Sequence, residues 1–355
     1  MQTFHTSRLG RKINVGSKEY LHFSGTAYLG MANQSHFEEK LMEGIKLFGG
    51  SHGSSRNSTV QLGIFEEFER EFAKKAGAED SICVSSGYLS GLLCTSYLKS
   101  EYDQIWVAPG SHPAILPQGM SGDPRGDFSQ WAGSCVSKSQ SLIGQRILII
   151  SNAVNALHPE IHDFGWVNNL SYQNKYCLLI DDSHAFGTIP SGIYGTFASW
   201  NHLNASLIVC GSLAKAIGLP GGIVLSDKAT CQKLREMPMF RGASPSAPAF
   251  LHAFIHSKET YKEQWEKLRG NILWVKKSLG SISGVHPFPE FPVLSFKEAG
   301  WVKELEKQGI IVSSFPYPSM QDPTVNRAVI SAEHTEGDLT TLVNAFRKLS
   351  EKLKK

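Results

Sequence analysis

The chain has 355 residues, of which 41% are hydrophobic and 19% charged, and its formal net charge is +3. That balance supplies a large core, excludes a disordered chain, and suits two packed domains better than one. The one dense Lys/Arg run, RKLSEKLKK at 347–355, reads as a helix end whose cations suit the negative pole of the dipole, so no nucleic-acid partner is expected.

In chain order, the opening MQTFHTSRLGRKINVG has no apolar run, so no secretory leader is expected and a cytoplasmic location fits. The longest apolar runs, such as ILII at 147–150, are far too short to cross a membrane. Residues 17–30 predict a short strand and a glycine-bounded turn, 36–48 a helix, and 48–58 (FGGSHGSSRNS) a polar glycine loop. Over 64–76 the apolar residues at 64, 65, 68, 72 and 73 share one helical face. Six short runs then predict strands: 81–86, 104–109, 146–151, 176–182, 206–212 and 221–227. Several are unalternated and rich in Ile, Val and Leu, as in strands buried on both faces of a mostly parallel sheet. Around 237–249, prolines and small residues mark a connection, followed by helix to about 280, further short strands and a closing helix. The expected organisation is an N-terminal segment 1–45, a large α/β domain 46–240, and a smaller α+β domain 241–355. The six cysteines form no C-x-x-C pair and lack zinc-ligand spacing; Cys83, Cys177 and Cys210 read as core residues in a reducing compartment. No metal site is expected.

Ligands on an open parallel sheet sit at the carboxyl ends of its strands, so the residues that follow each strand carry the functional signal. After 81–86 comes Ser86-Gly87-Tyr88, opening a small-residue helix. It is a phosphate seat on a helix N-terminus or an ordinary serine cap. After 176–180 come Asp181, Asp182, Ser183 and His184. Two acids at the end of a buried strand need work or partners. One could bond a protonated pyridine nitrogen and His184 a ring oxygen; the alternatives are a metal pair or a capping acid beside a core histidine. After 206–212 comes Lys215 in a small, apolar, glycine-flanked setting. Desolvation would make its amine nucleophilic toward an aldehyde, and Ser212 could add a hydroxyl to a phosphate. Each signal is weak alone; their order along the chain strengthens all three.

From about residue 20 to the C-terminus the chain resembles the α-oxoamine synthases, a family of fold-type I pyridoxal-phosphate (PLP) enzymes. Within it the likeness is to the 8-amino-7-oxononanoate synthases of biotin formation. The motifs that carry it are YLG (28–30), FGGSHGSSR (48–56), FEEFE (65–69), SSGY (85–88), SHPAIL (111–116), DDSHAFG (181–187), SLAKAIGLPGG (212–222) and RAVISAEH (327–334). The resemblance implies an α/β fold with a large, mostly parallel-sheet domain and a smaller α+β domain. It implies Lys215 as the Schiff-base lysine, Asp181 as the pyridinium partner, His184 as the partner of the phenolic oxygen and His112 as the histidine stacked on the ring. Arg327 would clamp an amino-acid carboxylate, and Thr26 stands on the substrate side. The implied reaction joins a small amino acid to an acyl-CoA or acyl-carrier thioester with loss of CO₂. An aminotransferase, a lyase or another amino acid and acyl pair are the alternatives. A homodimer is implied, with the glycine loop 49–55 near the cofactor. The chain departs from the family where Thr26 and Ala27 stand for the usual Asn before YLG, Asn152 for a Glu, Ala156 for a Ser, Phe65 for a His, and Arg241-Gly242 for a Ser/Thr pair. These departures fall in the shell that faces substrate.

Overall fold

The computed structural model describes residues 3–120, 122, 126–157, 159–280, 282–287, 290–317 and 320–353. The last two lysines of the basic tail therefore lie outside the described residues. In order the elements are β1 (Lys12–Val15), β2 (Lys18–Phe23), α1 (Ser35–Phe48), α2 (Ile64–Ala76), β3 (Asp80–Val84), α3 (Gly87–Leu98), β4 (Gln104–Val107), α4 (Phe128–Ser139) and β5 (Arg146–Asn152). Then come β6 (Val154–Asn155), β7 (Glu160–Ile161), β8 (Lys175–Asp181), α5 (Phe197–Trp200), β9 (Ser206–Ser212), β10 (Gly222–Ser226), α6 (Lys228–Glu236), α7 (Pro238–Gly242), α8 (Pro248–Ile255) and α9 (Lys258–Leu279). The chain closes with β11 (Val285–Pro287), β12 (Val293–Phe296), α10 (Ala299–Lys307), β13 (Ile310–Pro316), β14 (Thr324–Val329) and α11 (Glu336–Leu353). No helix among the described residues is long and apolar enough to cross a membrane.

These elements form two compact units. The larger holds Ser35–Asn155 and Ile161–Lys258. Its six-stranded sheet runs β3-β10-β9-β8-β5-β4. The pairs β4–β5, β5–β8 and β8–β9 are parallel. Apart from their ends, β5 and β8 are buried throughout, which is why they read as unbroken apolar runs. β10 is antiparallel to both β9 and β3. Only residues 213–221 join β9 to β10, and a parallel return needs about a dozen residues or more. The short connection therefore forces the chain straight back, and Lys215 lies within it.

Glycines allow close approach in this unit. A methyl group on Gly44 would stand 2.7 Å from the Ala249 carbonyl oxygen, so α1 and α8 pack backbone to backbone there. The stretch expected to be a connection at 237–249 instead contains α7 and the start of α8. Proline at the first position of each helix explains the misreading, because proline is tolerated there as well as in loops.

The smaller unit gathers Met1–Gln34, Ala156–Glu160 and Glu259–Lys355. The N-terminal residues are thus not a separate segment. β2 pairs in parallel with β13, far along the chain, through Leu21↔Ile310 and Phe23↔Val312. The sheet order is β1-β2-β13-β14-β12-β11. Pairing over such a distance leaves no local trace in sequence. The Phe296, Trp301 and Phe346 rings meet at 5.4–6.1 Å between centroids and join β12, α10 and α11 in one core. His334 is buried in this unit and stacked on Phe23 at 4.0 Å. Its Nδ1 accepts from the Ser331 N–H at 2.9 Å, and its Nε2 bonds the His22 carbonyl at 3.1 Å.

Candidate active site

Three strands of the larger unit end side by side. Asn152 closes β5 and lies in register with Asp181, which closes β8 and pairs with Cys210 of β9. The polar residues singled out from sequence follow these ends directly.

The two acids after β8 have separate tasks. Asp182 is fully buried and accepts from the Thr196 N–H at 2.6 Å and the Thr196 hydroxyl at 2.8 Å. Burial raises its pKa to about 7, against the pull of the Thr196 donors. It fixes the loop after Gly195. Asp181 is also buried, and its Oδ1 accepts from the Ser183 N–H at 2.8 Å. The Ser183 hydroxyl in turn accepts from the Ser212 N–H at 2.8 Å and ties the ends of β8 and β9 together. Sequence reading missed that link, since nothing in the local pattern marks Ser183. His184 is half-buried in the turn that follows, where its carbonyl accepts from the Thr188 hydroxyl.

Lys215 is half-buried in the β9–β10 connection. Bonds from Leu213 N to Gly221 O (2.9 Å), Leu219 N to Leu213 O (3.0 Å) and Gly218 N to Lys215 O (3.2 Å) give the loop a fixed shape. Gly218 takes a left-handed φ of 69°, which lets the chain turn back after Lys215.

His112 follows β4 and caps the short 3-10 helix Pro113–Ile115, its Nδ1 accepting from the Ala114 N–H at 3.1 Å. Its pKa is lowered, first by burial; the negative charge of Asp181 opposes that and the positive charge of Lys215 adds to it. The structure therefore brings His112, Asp181 and Lys215 within electrostatic reach of one another, on three different strand ends.

The predicted phosphate seat lies beside them. Ser86 caps α3, its hydroxyl accepting from the Leu89 N–H at 3.1 Å. A methyl group on Gly87 would stand 2.7 Å from the Ser212 nitrogen, and one on Gly222 would stand 2.8 Å from the Gly87 nitrogen. Only glycine fits at these two positions, which bring the start of α3 close against Ser212 at the end of β9. The Ser212 hydroxyl accepts from the Ala214 N–H at 3.2 Å. Tyr88 is 59% exposed at the start of α3.

In the smaller unit, Arg327 is 6% exposed on β14, opposite Ser313 and Ser295. Its Nη1 donates to the Ala156 carbonyl at 2.7 Å, and its Nε is buried with no hydrogen-bond partner among the described residues. It borders a cavity of about 540 Å³ that Phe4, Ser24, Val312 and Phe315 also line. Tyr28 is fully buried, and burial raises its phenol to about 12 although the Arg327 charge pulls the other way. Thr26 is half-exposed; its carbonyl accepts from the Tyr28 N–H at 2.9 Å and shapes the turn before Gly30.

Three buried groups, His162, His334 and Asp182, contribute to the acid limb of stability. His162 is buried, stacks on Phe128 at 3.8 Å, and has a pKa lowered to about 4 by burial. His334 is lowered to about 4 for the same reason. Unfolding returns both to about 6.5, so between pH 4 and 6.5 the unfolded chain binds two more protons at these sites. Asp182 works the other way, because its raised pKa keeps one proton on the folded state from 3.8 to about 7. Taken together these three bind one more proton in the unfolded chain. Their share of stability should fall as pH drops from about 6.5 toward 4, by about 1.4 kcal/mol per pH unit. Urea midpoints measured at pH 7, 6 and 5 would show it, and replacing His334 with Gln should flatten the slope.

Residues 164–346 match the aminotransferase class I and II family. The 8-amino-7-oxononanoate synthase of Petrotoga mobilis is 25% identical over an alignment that covers 98% of this chain and 92% of that protein. Among solved structures, the serine palmitoyltransferase of S. paucimobilis superposes with a TM-score of 0.82 at 16% identity, covering 99% of this chain and 92% of that one. The 8-amino-7-oxononanoate synthase of Francisella tularensis superposes with a TM-score of 0.72 at 19% identity, covering 95% and 99%.

Proposed function

The chain belongs to the aminotransferase class I and II family, and on that premise we propose that it is a PLP-dependent enzyme of the α-oxoamine synthase type. It would condense a small amino acid with an acyl thioester, with loss of CO₂, to give an α-amino ketone. The observation that carries the reading is the convergence of His112, Asp181 and Lys215 at the ends of β4, β8 and β9 of one sheet, beside a helix N-terminus that only glycine allows to come so close.

These residues fit the cofactor. Bound there, PLP supplies an aldehyde for amines and a protonated ring that takes up an electron pair from the substrate carbon. Lys215 would hold it covalently at rest and, once released, accept the α-proton at Nζ. Asp181, buried at the end of β8, would keep the ring nitrogen charged. His112 would lie against the ring face and His184 beside its oxygen. The α3 N-terminus, with Ser86, Gly87, Tyr88 and Ser212, would seat the phosphate. Arg327 would clamp the amino acid's carboxylate, a task for which its unpaired Nε leaves a donor in hand. Thr26 would border the same substrate.

Alanine with a pimeloyl thioester is the pair favoured by the names of the curated relatives. Serine with a long acyl chain is the pair suggested by the serine palmitoyltransferase neighbours. The shared chemistry is a thioester as acyl donor and an α-amino acid as acyl acceptor, and a homodimer is the proposed working form. Thiol release from acyl-CoA and acyl-carrier thioesters of graded length, each with alanine, glycine or serine, tests the reading. Release is expected only when both partners are present. Amino exchange that depends on a keto acid, without thiol release, would replace this reading with an aminotransferase.

A further inference from the structure

Asn152 entered the sequence comparison only as a departure, an amide where the family motif has a carboxylate. In the structure it occupies the end of β5 and faces the loop that carries His112. Its Oδ1 accepts from the His112 N–H at 3.0 Å, and its Nδ2 donates to the Gly110 carbonyl at 2.8 Å. One side chain thus grips both ends of the turn 110–112. Gly110 is left-handed with φ 66°, so the turn reverses sharply, and Ser111 at its middle donates to the Ala108 carbonyl at 2.8 Å.

The main chain beneath that amide is held as well. The Asn152 backbone carbonyl accepts from His162 Nδ1 at 2.8 Å and from the Ser151 hydroxyl at 2.9 Å. His162 is fixed against Phe128, the two ring planes 5° from parallel. His112 is then pinned at its backbone by Asn152 and at its ring by the Ala114 N–H. With Nδ1 accepting, the ring proton stands on Nε2.

Resting on the functional reading above, we propose that Asn152 is the positioning residue for His112, its amide clamping the 110–112 turn so that the imidazole stands in one place and one tautomer against the cofactor. The grip needs an acceptor and a donor at once. An amide offers both, and a carboxylate offers acceptors only, which would turn an oxygen toward the Gly110 carbonyl.

The clamp can be read without the cofactor. In ¹⁵N NMR of the full chain, His112 is expected as the Nε2–H tautomer in the wild type and as an averaging mixture in Asn152→Ala. Asn152→Asp, which keeps the acceptor and loses the donor, is expected to average as well. An unchanged His112 signature in both variants would overturn the proposal. With PLP added, Asn152→Ala should weaken cofactor binding about tenfold, and by less than about twofold when His112→Ala is already present, because coupled residues do not add. Equal losses in the two backgrounds would give Asn152 a merely structural part and refute positioning through His112. A wild type that binds no PLP would remove the functional reading and leave the NMR result to decide the clamp.

Discussion

Lys215→Ala is expected to abolish turnover while leaving the fold intact. Lys215 is half-buried in a loop whose shape is set by backbone bonds from Leu213, Gly218 and Leu219, and its truncation should move stability by no more than about 1 kcal/mol. The chemical loss is far larger, because one amine would serve twice. It would tether the cofactor, and it would carry the proton on and off the substrate carbon. Removing the second task alone costs on the order of 10²–10⁴-fold. Two measurements separate the tasks. Borohydride reduction of the wild type should leave the cofactor on the peptide that contains Lys215, whereas the variant should lose it on dialysis. Small added amines should restore part of the proton transfer in the variant. Wild-type turnover by Lys215→Ala, or label found on another lysine, would remove the residue from its role. The alanine also tests the picture around it. His112 feels the Lys215 charge as a force that lowers its pKa, so the His112 titration should move upward in the cofactor-free variant.

Lys215 was legible from sequence because it follows an apolar run and sits among small residues and glycines. The same logic exposed Asp181, Ser86 and Gly87, since parallel strands place function at their ends and strand ends are easy to find when both faces are buried. The sheet's one reversal was not legible from strand patterning, yet it was implicit in the spacing: residues 213–221 are too few for a crossover. What stayed hidden depends on pairs distant in sequence. β2 joins β13 across most of the chain, Ser183 bridges to Ser212, and Asn152 reaches back to His112. None of these alters local periodicity. α10 and β11 were also passed over, because short elements between prolines and glycines carry little pattern of their own. The resemblance to a family implied which residues would meet the cofactor, and it showed Asn152 only as a mismatch.

Asp181 and Asp182 are neighbours of the same chemical type, and the structure predicts opposite consequences for changing them. Asp182 is sealed in, with each carboxylate oxygen taken by a Thr196 donor and a raised pKa that reflects its burial. Asp182→Asn turns an amide N–H toward one of those donors. It should cost about 1.5–3 kcal/mol, the value of a charge-assisted hydrogen bond in a buried site, and the cost should be greater at pH 8, where the acid is ionised, than at pH 6. Asp181 is tied by one recorded bond, from the Ser183 N–H to Oδ1, and that bond survives in Asp181→Asn if the amide oxygen faces Ser183. Stability should change little. Turnover should fall on the order of 10²–10³-fold, because a neutral amide cannot hold a proton on a ring nitrogen, and the loss of one fixed charge partner at a reacting centre is of that size. The visible spectrum of the bound cofactor should shift with it, while the Asp182 variant keeps the wild-type spectrum once folded. Thermal melts and turnover measured on both variants in parallel decide the matter. If Asp182→Asn kills activity at full stability while Asp181→Asn leaves it, the ring partner has been assigned to the wrong acid.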